Sequence, residues 1–267
     1  MLRRDYAQHV FLWLYNREAN MSRRARKQKC NKYRKQKQGD HLRVIQGGAP
    51  LERIRNKSVT ITPRNFHQDD LIGLLENRKI NIVFAVGPAG TGKTIISTLQ
   101  GIKKLKAGHC NKFVVTRPAV SVDEQHGFLP GTLQEKMAPW TIPIFDVFKL
   151  YYTTNDIRNM LYEGIIEISP LAYMRGRTFH NSYIVADEMQ NASVNQMKML
   201  LTRIGKHSKL AVTGDLHQTD RPRDNGLSDF IHKLNETSSK YIDIVNFVKK
   251  DVLRNKAVQE VLDIYGD

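Results

Sequence analysis

The chain has 267 residues, of which 40% are hydrophobic, and its formal net charge is +16. This length and composition allow one large α/β domain or two small ones with a buried core, which excludes a wholly disordered chain. The longest apolar run near the start, 10–15, is far shorter than the roughly 20 residues of a membrane span. That run also lacks a small-residue cleavage site. We therefore expect a soluble cytoplasmic protein with no membrane partner.

Two cysteines, Cys30 and Cys110, lie in different sequence contexts and do not have the spacing of metal ligands. Such isolated cysteines are typical of free thiols in a reducing compartment. A zinc module or a disulfide scaffold is not expected.

The positive charge is concentrated at the start of the chain. Residues 1–57 contain 16 Lys and Arg against 4 Asp and Glu, whereas the other 210 residues contain 26 against 22. The stretch 22–37 has almost no apolar content, so residues 1–57 are predicted to be a basic, partly disordered extension and linker before a domain at 58–267. The functional interpretation is an arm that binds nucleic acid. The alternative is a solvated tail or an artefact of start-site choice.

From residue 59 onward, short apolar runs alternate with segments of helical spacing. An edge strand is expected at 59–62. The further predicted strands are 82–86, 112–116, 165–168, 183–186, 209–213 and 242–248, and the predicted helices are 67–75, 95–105, 133–150 with a kink at its prolines, 157–162, 193–204, 227–234 and 251–265. This alternation predicts a parallel sheet with right-handed crossovers, whose ligands lie beyond the carboxyl ends of the strands.

The first chemical landmark follows the strand 82–86. The residues after it fit the pattern G-x-x-x-x-G-K-[ST], and a strand before it and a helix after it are the context of a phosphate-binding loop. The glycines let backbone N–H groups turn toward phosphate, Lys93 is expected to reach the β- and γ-phosphates, and the Thr94 hydroxyl to bind Mg²⁺. The predicted ATP-binding residues of the loop are Gly87, Pro88, Ala89, Gly90, Thr91, Gly92, Lys93 and Thr94.

The second landmark is a pair of carboxylates, Asp187 and Glu188, at the end of the apolar strand 183–186. About 95 residues after a phosphate-binding loop, this pair fits the Walker B motif. Asp187 is predicted to hold Mg²⁺ and Glu188 to act as the general base toward water.

Two glutamines are further candidates. Gln68 precedes the loop strand and is placed to contact the adenine edge, although an exposed glutamine at a helix start is an equal alternative. Gln218 follows the strand 209–213 and is a candidate sensor of the γ-phosphate, while the neighbouring Asp215 is interpreted equally as a turn cap.

Together these motifs resemble the PhoH-like family of P-loop ATPases, the phosphate-starvation-inducible type, in its short phage form. The resemblance covers residues 58–265, and Met189 and Asn225 depart mildly from the family pattern without touching a catalytic position. The matching stretches are GPAGTGKT at 87–94, TRPAV at 116–120, GFLPGTLQEKMAPW at 127–140, RGRTF at 175–179, DEMQN at 187–191, QMKMLLTRIG at 196–205, GDLHQTD at 214–220 and DVLR at 251–254.

The resemblance implies an α/β P-loop NTPase with a RecA-like, mostly parallel sheet flanked by helices, similar to the first motor domain of superfamily 1 helicases. It implies ATP and Mg²⁺ as cofactors and ATP-driven handling of RNA, with a homo-oligomer such as a ring hexamer. It supports ATP hydrolysis more strongly than helicase action, because fold does not fix function.

Only 173 residues follow Thr94, which is enough to complete one motor domain. An arginine finger must therefore come from a neighbouring subunit or be absent. Such a finger is worth a factor of about 10³–10⁵ in rate. The candidates are Arg254, which is the first choice and a predicted catalytic residue, and Arg175, Arg177 and Arg203. For each arginine a surface salt bridge is the alternative, and for Arg117, Arg175 and Arg177 contact with nucleic acid is another.

The leading hypothesis is an ATP hydrolase that binds or remodels RNA, with Glu188, Lys93, Gln218 and Arg254 as catalytic residues. One alternative is a small P-loop kinase, which would release a phosphorylated acceptor instead of free phosphate. The other is a nucleotide-dependent nucleic-acid-binding module without unwinding activity, whose binding would depend steeply on salt and survive Lys93→Ala.

Overall fold

The computed structural model describes residues 57–118, 133–220 and 224–253 together with residues 260 and 264, apart from the side chains of 133–139. The basic extension predicted at 1–57 therefore lies outside the described residues except for Lys57, and its boundary at residue 57 stays a prediction. No described helix is both long and apolar enough to cross a membrane.

Six strands form one sheet in which every pairing is parallel, in the order β3-β2-β4-β5-β1-β6. The strand β1, which leads into the phosphate-binding loop, is thus separated by β5 from β4, the strand that Asp187 follows. The strands are β1 (Ile82–Val86), β2 (Lys112–Thr116), β3 (Ile166–Ile168), β4 (Ser182–Ala186), β5 (Lys209–Gly214) and β6 (Ile242–Asn246).

Helices cover both faces of this sheet, which confirms the predicted α/β class. Alternate residues of the strands enter two separate cores, one packed by the helices α1 to α4 and the other by α5 and α6. Burial on both faces explains why the strands are continuous apolar runs. The helices are α1 (Phe66–Glu76), α2 (Lys93–Lys106), α3 (Leu133–Phe148), α4 (Thr154–Tyr162), α5 (Val194–Leu201) and α6 (Gly226–Asn235), with 3₁₀ turns at Leu171–Met174, Met189–Asn191 and Lys249–Asp251.

Two predicted elements are wrong. Residues 59–62 do not form an edge strand, because Val59 and Ile61 pack their side chains into the first core instead of pairing with the sheet. The predicted last helix does not begin at Asp251, since this residue ends a 3₁₀ turn and Val252 is extended. Most of the remaining predicted helix lies outside the described residues.

Several boundaries also moved. The helix predicted at 193–204 is shorter, and α4 starts earlier than predicted because Thr153 caps it. The backbone N–H of Asp156 donates to the Thr153 hydroxyl and the backbone N–H of Thr153 donates to the Asp156 carboxylate, both at 3.1 Å. The sequence signal for this reciprocal capping box is the pattern T-x-x-D.

A buried lysine joins the sheet to the end of α1. The ammonium group of Lys209 donates to the carbonyl oxygens of Leu74, Leu75 and Asn77 at 2.7, 2.8 and 2.8 Å. Burial, and to a smaller extent the charge of Lys104, lowers the pKa of Lys209 to about 7. The three carbonyl acceptors oppose this shift, because only the charged form has three N–H donors.

Lys209→Met is expected to lower the free energy of unfolding by about 1–3 kcal/mol, since the carbonyl groups that end α1 lose their donor. The folded-state pKa lies below the ordinary 10.5, so the unfolded chain binds more protons between pH 7 and pH 10.5. The contribution of Lys209 therefore rises with pH across this window, and the loss measured by denaturant unfolding is expected to be larger at about pH 9.5 than at pH 7. An equal loss at both pH values, or the same loss in the exposed control Lys206→Met, would contradict this account.

Candidate functional site

The carboxyl ends of the strands bring the two predicted landmarks together. Gly87 follows β1, Asp187 follows β4 and Asp215 follows β5, all at one edge of the parallel sheet. A cleft opens between them. It is lined by Ala89, Gly90, Gly92, Lys93, Thr94, Ile95, Asp187, Glu188, Thr213, Gly214, Asp215 and Gln218.

The glycine-rich loop has the backbone that an anion site needs. Gly87, Gly90 and Gly92 have φ values of 139°, 84° and 88°, which residues with a side chain rarely adopt. A Cβ on Gly87 would also lie 2.3 Å from the carbonyl oxygen of Phe247. No side chain caps the start of α2, so its first N–H groups are available to a ligand with negative charge.

Lys93 spans this loop from its buried position at the start of α2. Its ammonium group donates to the carbonyl oxygens of Gly87 at 2.6 Å and Pro88 at 2.7 Å. Burial lowers the pKa of Lys93, and the negative charges of Asp215, Glu188 and Asp187 act in the opposite direction. A cation is thus held beside the loop among carboxylates, where a phosphate can replace the carbonyl contacts.

The metal-binding candidates also meet. The Thr94 hydroxyl donates to Oδ1 of Asp187 at 2.7 Å, and the Thr213 hydroxyl donates to the same oxygen. A carboxylate beside a hydroxyl is an oxygen donor set that suits Mg²⁺, which binds few protein ligands and completes its shell with water and phosphate oxygens. No group of three or more His, Cys, Asp or Glu residues suited to a metal occurs among the described residues.

Glu188 has an uncommon backbone for its residue type, with φ 54° and ψ 41° in the left-handed region. Its carboxylate accepts a hydrogen bond of 2.6 Å from the side-chain amide of Gln190, which is 1% exposed. The carbonyl oxygen of the same amide accepts from the backbone N–H of Asp215 at 3.1 Å. Gln190 therefore fixes Glu188 relative to the end of β5. Sequence reasoning missed this role, although the DEMQN stretch contained its signal.

Asp215 does more than cap a turn. One carboxylate oxygen accepts from the backbone N–H of His217 at 3.0 Å, as a turn cap does, and the other accepts from the N–H of Ala89 at 3.1 Å. The second bond ties the end of β5 to the phosphate-binding loop, a contact between residues far apart in sequence. Gln218 is exposed and lines the cleft, with its backbone N–H donating to the Asp215 carbonyl at 3.1 Å.

Gln68 contacts the backbone of the glycine-rich loop. Its side-chain N–H donates to the Thr91 carbonyl at 2.9 Å, and its side-chain oxygen accepts from the backbone N–H of Arg64 at 2.9 Å. The side chain is buried instead of exposed at a helix start. The structure therefore gives Gln68 a contact that supports the loop, and its predicted contact with adenine stays a prediction.

The candidate arginines occupy different places. Arg117 follows β2, lies 5.7 Å from the centre of the Trp140 ring, and lines a small pocket that Asp187 also lines. Arg177, in the segment before β4, pairs with Glu167 at 2.6 Å. Arg203, in the segment before β5, donates to the Arg177 carbonyl at 3.2 Å. Both side chains therefore make contacts within the described domain.

The other two arginines contribute no described contact with the cleft. Arg175 is exposed on the turn after the 3₁₀ segment. Arg254 lies outside the described residues, although Leu253 just before it donates its backbone N–H to the Gly90 carbonyl at 3.1 Å.

Comparison with known proteins places this geometry among relatives. The model of a family described as PhoH-like protein matches residues 60–266. A PhoH-like protein of Mycobacterium tuberculosis is 38% identical over 218 residues, which are 81% of this chain and 61% of that protein. A PhoH-like protein of Bacillus subtilis is 37% identical, covering 78% of this chain and 65% of the relative, and the protein PhoH of Escherichia coli K12 is 39% identical, covering 77% and 58%. The chain thus spans about three fifths of the length of these relatives.

Among solved structures, the Pif1 helicase from Candida albicans is similar at a TM-score of 0.37 and 15% identity, over 76% of this chain and 43% of the helicase chain.

Proposed function

The chain belongs to the PhoH-like protein family and has a P-loop NTPase fold, and from this premise we propose that it is an Mg²⁺-dependent ATPase. One observation carries the proposal. Lys93, the Thr94–Asp187 pair and the Glu188–Gln190 pair line or support a single cleft. This arrangement provides donors for phosphate, oxygen ligands for Mg²⁺ and a fixed carboxylate that can orient a water molecule.

Each of these residues has a task in that proposal. The backbone N–H groups at the start of α2 bind phosphate oxygens, and Lys93 moves from the loop carbonyls onto the β- and γ-phosphates. When bound, Mg²⁺ neutralises developing charge on the phosphates, and Thr94 and Asp187 would hold it. Glu188 orients a water molecule and accepts its proton. Gln218, at the exposed rim of the cleft, contacts the γ-phosphate.

We further propose that the ATPase acts on RNA or another single-stranded nucleic acid and works as a homo-oligomer. The excess of basic residues at 1–57 supports a polyanionic partner. Arg177 and Arg203 are engaged in local contacts, which leaves Arg254 as the preferred trans arginine finger and Arg175 as the next.

The experiment that tests the function measures phosphate release from Mg·ATP by size-fractionated protein, with and without single-stranded RNA or DNA. Free phosphate as the product supports hydrolysis, whereas a phosphorylated acceptor would show a kinase. A monomer that is fully active at nanomolar concentration would exclude a trans finger.

Gln190→Ala is expected to lower kcat about 10–100-fold, because Glu188 loses its orienting partner and small misplacements of a catalytic group are costly. The dissociation constant for ATP should change little, since Gln190 does not line the cleft. The measurement is steady-state phosphate release alongside equilibrium ATP binding. A variant that loses ATP binding and turnover in parallel would show that Gln190 supports the cleft as a whole and not Glu188.

A further inference from the structure

The far end of α2 carries a basic surface that the proposed ATPase chemistry does not use. We define it as the lysine surface, made of Lys57, Arg78, Lys103, Lys104 and Lys106. The helix has 14 residues and rises about 1.5 Å per residue, so its last turn lies about 20 Å from the phosphate-binding loop. The surface is therefore at the amino edge of the sheet, and the cleft is at the carboxyl edge.

Aromatic rings hold two of these lysines in place. The ammonium group of Lys57 lies 5.1 Å from the centre of the Tyr151 ring, and that of Lys106 lies 5.6 Å from the same centre. Lys106 also lies 5.0 Å from the Tyr152 ring and donates to the Lys57 carbonyl at 2.9 Å. Two cations on one buried ring form a fixed pair of donors instead of two freely moving side chains.

The charges of this surface repel one another. Burial and then the charge of Lys57 lower the pKa of Lys106. Burial is also the main cause that lowers the pKa of Lys104. Cys110 and Glu76 act in the opposite direction, and Arg78 and Lys103 lower the pKa by smaller amounts. Glu76 pairs with Lys103 at 2.6 Å and offsets part of this positive charge. A polyanion bound here would relieve this repulsion.

The lysine surface adjoins the most basic part of the sequence. Lys57 is the last residue of the segment 1–57, which contains 16 Lys and Arg against 4 Asp and Glu. Lys57, the first described residue, therefore lies on this surface.

We propose that the lysine surface binds the phosphate backbone of a nucleic acid, remote from the ATP cleft. Ammonium groups recognise phosphate charge and not base edges, so single-stranded RNA and DNA are both expected to bind. The choice of nucleic acid rests on the proposed function, but the binding does not require hydrolysis.

The test compares the full-length protein with its Lys57→Gln/Lys106→Gln variant. Binding of a fluorescein-labelled 20-nucleotide oligouridine is measured by anisotropy at several salt concentrations without ATP. Loss of two phosphate contacts is expected to weaken binding about tenfold at 0.1 M salt and to reduce the slope of log K against log salt by about 1.4. An oligothymidine of the same length should lose the same factor, and a loss confined to one of the two would contradict backbone recognition.

The matched control is Lys198→Gln/Lys233→Gln, which removes the same charge from exposed lysines of α5 and α6 on the opposite face of the sheet. The control should bind like the parent protein, and Lys57→Arg/Lys106→Arg should as well, because it keeps both charges. Equal weakening in the two glutamine variants, or no weakening in either, would overturn the proposal. The proposal would also be overturned if the Lys57→Gln/Lys106→Gln variant lost binding to phosphatidylserine vesicles but bound oligouridine like the parent protein. ATP hydrolysis without nucleic acid, measured in parallel, reports separately on the proposed function.

Discussion

Glu188→Gln is expected to reduce ATP hydrolysis about 10²–10⁴-fold, the range that general-base catalysis contributes. The amide keeps the size of the side chain and can still accept the hydrogen bond from Gln190, which is 2.6 Å long in the parent protein. What it loses is the ability to accept a proton from water. The backbone at this position has φ 54°, and glutamine tolerates it about as glutamate does, so the folded structure should be retained.

ATP binding separates this effect from a general loss of the site. The Glu188→Gln variant should bind Mg·ATP with nearly the parent affinity, because Lys93, the loop and Thr94 are unchanged. Lys93→Ala should instead lose both binding and hydrolysis, since it removes the cation held at 2.6 Å and 2.7 Å from the loop carbonyls. Phosphate release at saturating Mg·ATP and calorimetric ATP titration distinguish the two. Normal hydrolysis by Glu188→Gln would remove Glu188 from the mechanism.

Gly101→Ala is expected to lower the free energy of unfolding by about 1–2 kcal/mol. A Cβ at this position of α2 would lie 2.2 Å from the Phe113 ring and 2.6 Å from the Tyr183 ring. Both rings are fully buried, so the helix and the sheet must move apart. Overpacking of this kind costs about 1–3 kcal/mol and occasionally more, which outweighs the gain of about 1 kcal/mol from replacing a helical glycine by alanine.

A second helical glycine provides the matched control. Gly73 lies in α1 and is exposed, and a Cβ added at this residue would have no other atom within 4 Å. Gly73→Ala should therefore gain about 0.5–1 kcal/mol, since only helix propensity and the entropy of the unfolded chain change. Denaturant unfolding of both variants, at one pH and temperature, gives the two values. A stabilised Gly101→Ala protein would show that α2 does not pack closely on β2 and β4.

The sequence alone predicted those parts of the candidate site that are encoded by neighbouring residues. The six strands and the glycine-rich loop were predictable because burial on both faces requires apolar runs and a tight phosphate loop requires glycines. Asp187 and Glu188 were predictable because they follow such a run. The edge strand at 59–62 and the helix start at Asp251 were predicted wrongly, since the packing of Val59 and Ile61 on the helices and the Leu253–Gly90 hydrogen bond depend on distant residues.

By itself, then, the sequence determined the family, the parallel α/β fold and the loop with its lysine, because each of these is encoded in residues a few positions apart. Tertiary structure decided how the loop is held: Ala89 bonds Asp215 across 126 positions, and Gln190 joins Glu188 to the end of β5. It also decided that Lys57 and Lys106, 49 positions apart, share one tyrosine ring. The physical reason is that hydrogen bonds and charge pairs depend on distance in space, and only the folded sheet brings these side chains within reach.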